Sequence, residues 1–180
     1  MAKTIWSIDP VHSEVGFSVK HMMISKVKGQ FEHFDSTIEL DTDNLTDAVV
    51  EVVIDVTSIN TREEKRDNHL RSADFFDVEN HPHITFKAKE FKKKNDNQYD
   101  VIGDLTIRGT TKEVTVDVIF EGQSKDPMSG NVVAGFSGHT KINRKEFGLT
   151  WNAALETGGV LVGDDVQINF EVELIKQGGN

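Results

Sequence analysis

The sequence predicts an all-β fold, an antiparallel sandwich or barrel of about eight strands. Apolar and polar residues alternate with period two over much of the chain. The pattern is cleanest near the C-terminus, where Val166, Ile168, Phe170, Val172 and Leu174 alternate with Gln167, Asn169, Glu171 and Glu173, as a half-buried strand requires. Only one segment carries a helix signature, and no uninterrupted apolar run exceeds three residues, far short of the ~20 that cross a bilayer as a helix.

Taken in order, the first strand holds Val15, Phe17 and Val19 on one face and Gly16, Ser18 and Lys20 on the other. Residues 27–41 are extended with a less regular pattern around Phe31, Phe34, Ile38 and Leu40. Val50, Val52, Ile54 and Val56 then share a face opposite Glu51 and Asp55. Here the alternation breaks. Thr61 followed three residues later by Glu64 reads as a capping box, so a short helix is expected with Thr61 at its N-cap, running to about Arg71.

Strands resume with Ile84, Phe86 and Ala88 opposite Thr85, Lys87 and Lys89. Val101, Gly103, Leu105 and Ile107 share the next face, then Val114, Val116, Val118 and Phe120, then Val132, Ala134, Phe136 and Ile142. Turn residues separate them: Asn95-Asp96-Asn97, Gly109-Thr110-Thr111, and Asp126-Pro127-Met128-Ser129-Gly130. Residues 148–165, rich in glycine around Trp151, read as a long irregular connection before the last strand. The longer runs, roughly ten to fourteen residues, imply strands of about 33–45 Å. Clean alternation marks antiparallel sheets wet on one side.

One-faced strands need a partner for their apolar faces, which a sandwich or a barrel supplies. An eight-stranded barrel is just wide enough to be filled by side chains or to hold one ligand. The inward faces here mix Phe17, Phe86, Phe136 and Phe170 with Gly103, Ala88, Ala134 and Val116. Small residues midway along the strands can leave a channel, or large and small can interdigitate into a filled core. The 11 Phe against 2 Trp and 1 Tyr allow a dry interior, because Phe has no polar atom to satisfy, and equally suit an ordinary Phe-packed core.

The net charge of −10 argues against nucleic acid, whose binders need a basic patch, and against permanent docking on an anionic membrane. Lys92-Lys93-Lys94 is the one tight basic run, and it reads as a solvated turn beside an edge strand. There is no cysteine, which excludes disulfides and thiolate chemistry. The opening MAKTIWSIDP lacks the apolar stretch of a signal peptide. A cytoplasmic chain of one domain over its 180 residues, without stable membrane insertion, is therefore expected.

Catalytic signatures are weak. His81 and His83 flank Pro82, and with Asp67 and His69 a zinc site of His and carboxylate ligands can be drawn, but no H-E-x-x-H is present. Gly135-Phe136-Ser137-Gly138-His139 is only a partial nucleophile elbow and sits in mid-strand. No Lys-Ser or Lys-Thr follows Gly158-Gly159, so no phosphate loop exists there. Asp67 can pair with Arg66 or Arg71 beside the helix.

Several motifs, in order, carry a family resemblance. They are Trp6-Ser7-Ile8-Asp9 with His12-Ser13; His21 with Val27, Gly29 and Phe31; Ser58-Ile59-Asn60-Thr61; Arg66-Asp67-Asn68-His69-Leu70-Arg71 running on to Asp77; Pro82 with Ile84-Thr85-Phe86; Gly103-Asp104-Leu105-Thr106-Ile107-Arg108-Gly109; Ile142-Asn143-Arg144 with Phe147-Gly148; and Gly163-Asp164. The chain resembles the YceI-like, polyisoprenoid-binding family from Trp6 almost to its end.

The resemblance implies an extended eight-stranded antiparallel lipocalin-like barrel with one short helix after the fourth strand. It implies non-catalytic binding or carriage of a polyprenyl phosphate or an isoprenoid quinone, with no cofactor or metal, and a homodimer. Many relatives are periplasmic, from which this chain departs. The expected channel lining is Phe17, Val19, Phe31, Val52, Ile54, Phe86, Leu105, Ile107, Val116, Phe136 and Phe170. Val52 depends on register, since a one-residue slip turns a whole face outward. Arg66, His69 and Arg144 are the candidates to meet a polar head group, or else to anchor the helix to the barrel. Two other classes stay open: a metal-dependent or other enzyme using His69 and Asp67 or the His81/His83 pair, and a stress or interaction protein with a filled core.

Overall fold

Alternation of burial is strictest in a strand near the middle of the chain rather than in the C-terminal run 166–174. In the computed structural model, which describes residues 3–156 and 158–177, strand β8 (Gln98–Ile107) switches between inward and outward at every residue. Tyr99, Val101, Leu105 and Ile107 are buried on its inner face. The first six strands of the chain are three long strands, each broken once. β1 (Thr4–Ile8) and β2 (Glu14–His21) run in succession along β11 (Val162–Lys176), with Ile8 opposite Leu174 and Val15 opposite Phe170. The break follows Asp9, whose carboxylate accepts from the Val11 N–H at 3.0 Å, beside Pro10, which fixes φ and lacks a donor.

β3 (Ser25–Phe31) pairs with β2, and β4 (Phe34–Leu40) pairs with β1. β5 (Val49–Asp55) then pairs with β4, and the two-residue β6 (Ile59–Asn60) with β3. β7 (His83–Lys93), β8, β9 (Thr110–Lys125), β10 (Val132–Asn143) and β11 continue as a meander, and β5 joins β7. The last strand returns to the first, so the sheet is an eight-stranded antiparallel barrel closed on itself, as expected. Closure leaves few sheet edges, and Lys92 and Lys93 lie where β7 has run past the end of its β5 pairing and is bonded to β8 alone. Lys94 is drawn to Asp100 and Asp117, at 3.5 and 3.7 Å.

The only α-helix among the described residues, α1 (Glu64–Arg71), connects β6 to β7. Its N-cap is Glu63, whose carboxylate accepts from the Arg66 N–H at 2.9 Å. The capping box expected at Thr61 is displaced because Thr61 is buried and already used. Its N–H and Oγ1 both donate to the Asp67 carboxylate. Arg66 reaches the same residue, with Nε on Thr61 Oγ1 and Nη2 on the Thr61 carbonyl, each at 2.8 Å. Asp67 therefore meets Arg66 through Thr61, and Arg71 turns away to the carbonyls of Thr57 and Ile59.

Three further expectations shift by a few residues. Val56 leaves the β5 pattern for a 3-10 turn at Val56–Ser58, where it is almost wholly buried. The turn expected at Gly109-Thr110-Thr111 is Arg108-Gly109, both with positive φ, because Thr110 and Thr111 already pair with Ile107 and Thr106. The last strand begins at Val162 rather than Val166, and its register against β2 shifts between those two residues.

Candidate functional site: an apolar cavity through the barrel

The barrel is hollow. Its interior holds a cavity of about 630 Å³ walled by side chains from β1 to β5, β7 to β11 and α1. That lies within the ~300–1,000 Å³ usual for ligand sites, and it is roughly four times an apolar pocket of about 150 Å³ that accommodates benzene. A filled core is thereby corrected. All eleven residues expected on the channel face reach this wall: Phe17, Val19, Phe31, Val52, Ile54, Phe86, Leu105, Ile107, Val116, Phe136 and Phe170. Among the described residues no buried side-chain polar atom lacks a partner. Thr140, the polar residue in the middle of the wall, donates its hydroxyl to the Thr115 carbonyl at 2.9 Å. The lumen offers a guest grease and almost no unspent hydrogen bonds.

A Phe-rich barrel stays open because its rings lie against the wall. A Cβ on Gly29 would sit 2.5 Å from Cζ of Phe17, its direct cross-strand partner. One on Gly138 would sit 2.4 Å from Cζ of Phe170, again the direct partner, and one on Gly103 would meet Phe86 at 2.6 Å. Each glycine is a shallow seat for a neighbouring ring. The small residues thus create space indirectly, by letting large neighbours fold flat.

The two ends differ. At one, the short turn Leu45–Asp47 drops Leu45 into the barrel, where Trp6, Ile38, Leu40, Tyr99, Val118 and Leu174 close a buried floor. At the other end lie the wall residues Lys20, Glu63 and Lys65, the only exposed ones in the lining. They mark a portal between the end of β2 and the first turn of α1. His21, Arg66, His69, Trp151 and Leu161 surround it. His69 Nε2 is 2.8 Å from Asp74 Oδ2, and its ring stands edge-on to Trp151 and Phe75 at centroid distances of 4.6 and 5.0 Å. The sequence singled out Arg66 and His69 here but not Lys20, Lys65, Leu161 or Trp151. Nothing in local spacing brings those segments to one rim.

Arg144 has a different surrounding. It is 3% exposed, and its guanidinium donates to the carbonyls of Gly163, Leu149, Trp151 and Val162 at 2.7, 2.5, 2.9 and 3.3 Å. Burial pushes its pKa below the ordinary arginine value, opposed by the nearby Asp164. Five N–H groups in a rigid fork suit arginine to this task. The residue ties the loop that carries Trp151 to the start of β11.

The metal reading fares poorly in space. Asp67 is spent on Thr61, His69 on Asp74, and His81 lies over Gly109. Among the described residues the one cluster of three or more His and carboxylate groups within ligand distance is Asp9, His12 and Glu173, at the joint between β1 and β2. There His12 Nδ1 is 2.7 Å from Asp9 and 3.6 Å from Glu173. The hydrogen bond to Asp9, then the charge of Glu173, raises the His12 pKa, and the same bond lowers that of Asp9. Ser13 Oγ also accepts from the Glu173 N–H at 3.0 Å, so the group clamps a strand junction.

Comparison with known proteins agrees with this geometry. The model of the YceI-like domain matches residues 6–174. A UPF0312 protein of Staphylococcus epidermidis is 46% identical over 170 residues, covering 94% of this chain and 96% of the relative. The crystal structure of BcnA from Burkholderia cenocepacia superposes with a TM-score of 0.81 at 26% identity, covering 92% of this chain and 98% of that one. A domain from Saccharophagus degradans, described as polyisoprenoid binding and implicated in plant cell wall breakdown, shares the fold with a TM-score of 0.69 at 13% identity, covering 96% and 99%.

Proposed function

We propose, from the premise that this chain belongs to the YceI-like family, that it binds and carries a long isoprenoid lipid without transforming it. The observation that carries this reading is the apolar cavity of about 630 Å³ with a polar, mostly basic portal at one end. Burying some 500 Å² of hydrocarbon at about 25 cal/mol per Å² is worth roughly 12 kcal/mol before the cost of ordering the chain. Micromolar or tighter binding then needs no charged anchor. The likeness to a polyisoprenoid-binding domain is one of fold, and it favours an isoprenoid over a straight acyl chain.

A polyprenyl phosphate or an isoprenoid quinone would place its tail toward the floor and its head at the portal. Lys20, Lys65, Arg66 and His69 are the groups that can meet the head. Arg66 keeps one guanidinium nitrogen, Nη1, outside its bonds to Thr61. Arg144 shapes the rim through the carbonyls it holds. A homodimer is the expected assembly.

Native mass spectrometry of freshly purified protein tests all of this at once. The expected result is a bound mass built of five-carbon units on a protein of two subunits. Protein that carries only straight-chain fatty acids, or stays empty when offered a polyprenyl phosphate and a quinone, defeats the isoprenoid reading.

A further inference from the structure

The β2–β3 hairpin ends in three exposed apolar residues, Met22, Met23 and Ile24, the last of them 83% exposed. The turn closes with the Ile24 N–H on the His21 carbonyl at 3.3 Å, and Met22 and Met23 have φ of 54° and 66°. Positive φ at both central positions is the signature of a type I′ turn, where Asn-Gly is the favoured pair. Two methionines there are doubly unfavourable, being strained in the backbone and wet on the side chain. The Arg108-Gly109 turn of the same barrel follows the ordinary preference with glycine at its second position.

Met23 folds over Gly159, the Met22 N–H donates to Leu161 at 2.8 Å, and Val160 beside them is 38% exposed. The apolar tip is therefore continuous with the rim of the cavity, whose lining includes His21, Leu161 and Val162. Charge follows the same pattern. No Asp or Glu lies between Glu14 and Glu32, while Lys20, Lys26 and Lys28 do. Lys20 and Lys26 are directly opposite across the β2–β3 pair, a like-charge arrangement that destabilises a sheet. Among the described residues none of the three makes an ion pair, whereas nearby Asp164 and Asp165 are held by Lys145 and Lys141. Glu156 is the one carboxylate on the adjacent turn.

Grease at the tip, lysines behind it and a cavity mouth beside it fit one partner. We propose that the β2–β3 tip with Val160 is the surface by which this protein docks on an anionic lipid bilayer, bringing the portal against the membrane from which its cargo is loaded. This rests on the reading of the cavity as a lipid site. Methionine adapts to irregular apolar surroundings, and an apolar face of this kind sinks about 5–10 Å into the head-group region. The lysines act within about a Debye length of the surface. The net charge of −10 then favours release, so docking is brief.

Sedimentation with vesicles of phosphatidylcholine and phosphatidylglycerol in equal parts, against phosphatidylcholine alone, tests the proposal. The full chain is expected to bind the mixed vesicles. The Met22→Asn/Met23→Gly variant should bind about tenfold more weakly, although its turn is improved and its melting temperature is unchanged or higher. Lys26→Gln/Lys28→Gln should lose a similar factor, as should wild type at high salt. Undiminished binding by the methionine variant overturns the proposal. So does a change in its subunit count by sedimentation velocity with vesicle binding unaltered, which would make the tip a contact between copies. Native mass spectra of the same samples separate the two readings. Tip-dependent vesicle binding by protein that never carries lipid upholds docking and defeats only the cargo assignment, while lipid-loaded protein indifferent to the tip defeats docking alone.

Discussion

Glycine 138 shows how a single residue sets the shape of the lumen. Its missing side chain is the seat of the Phe170 ring, and on its other side stands the Asp117 carbonyl, 2.8 Å from where a Cβ would be. Backbone cannot retreat as a flexible side chain can, so Gly138→Ala must push the ring inward. Forced repacking of this kind costs about 1–3 kcal/mol. The variant is expected to shift the denaturation midpoint by that amount and to carry less lipid by native mass spectrometry. Unchanged stability together with unchanged loading would mean that the ring is not held by its seat. At this scale the eleven wall residues were legible because strand alternation settles which way each one faces. The directions of Arg66 and Arg144 were not legible, because their partners are carbonyls and a hydroxyl supplied by the folded chain, and carbonyls leave no mark in a sequence.

At the scale of elements, α1 was expected from a capping signature, and the helix is present with its start moved. Thr61 and Glu63 compete for the role of cap, and burial decides between them. Thr61 turns inward to satisfy the buried Asp67, leaving the exposed Glu63 to cap. The two positions should respond differently. Glu63→Ala removes an ordinary N-cap and is expected to cost about 1 kcal/mol. Thr61→Val deprives both Asp67 and Arg66 of a buried partner and should cost more, within about 1–3 kcal/mol. Chemical denaturation of both variants checks the order, and a larger loss at Glu63 would reverse this account. Strand breaks were less legible than strands. The sequence pattern starts only at Val15, so β1 goes unread, and residues 27–41 read as one extended run that hides the break between β3 and β4; only their shared neighbours show that each pair is one wall of the barrel.

For the whole molecule, closure is the decisive event. The β11 seam against β1 and β2 turns a meander into a tube, and the tube has a floor at Leu45 and a portal at α1. A guest bound only by the folded barrel stabilises it by linkage, by about 2.7 kcal/mol at a hundredfold excess over Kd. For a chain of this size that corresponds to roughly 5–11 °C in melting temperature. Protein refolded after organic extraction is expected to melt lower by that margin and to recover when a polyprenyl phosphate is added back. A melting temperature indifferent to both steps would mean the cavity is not the lipid site. Among the described residues no helix is long and apolar enough to cross a membrane.

Period-two alternation along the chain determined the β class, the inward faces and the approximate strand count, because facing in a strand depends only on neighbours in sequence. Whether those faces enclose space or fill it was settled by long-range pairing. The rings of Phe17, Phe86 and Phe170 find glycines to lie on only after register sets strand against strand. The portal likewise exists only once β2, α1, Trp151 and Leu161 meet at one rim. Such meetings depend on contacts between residues far apart in the chain, which no local pattern encodes.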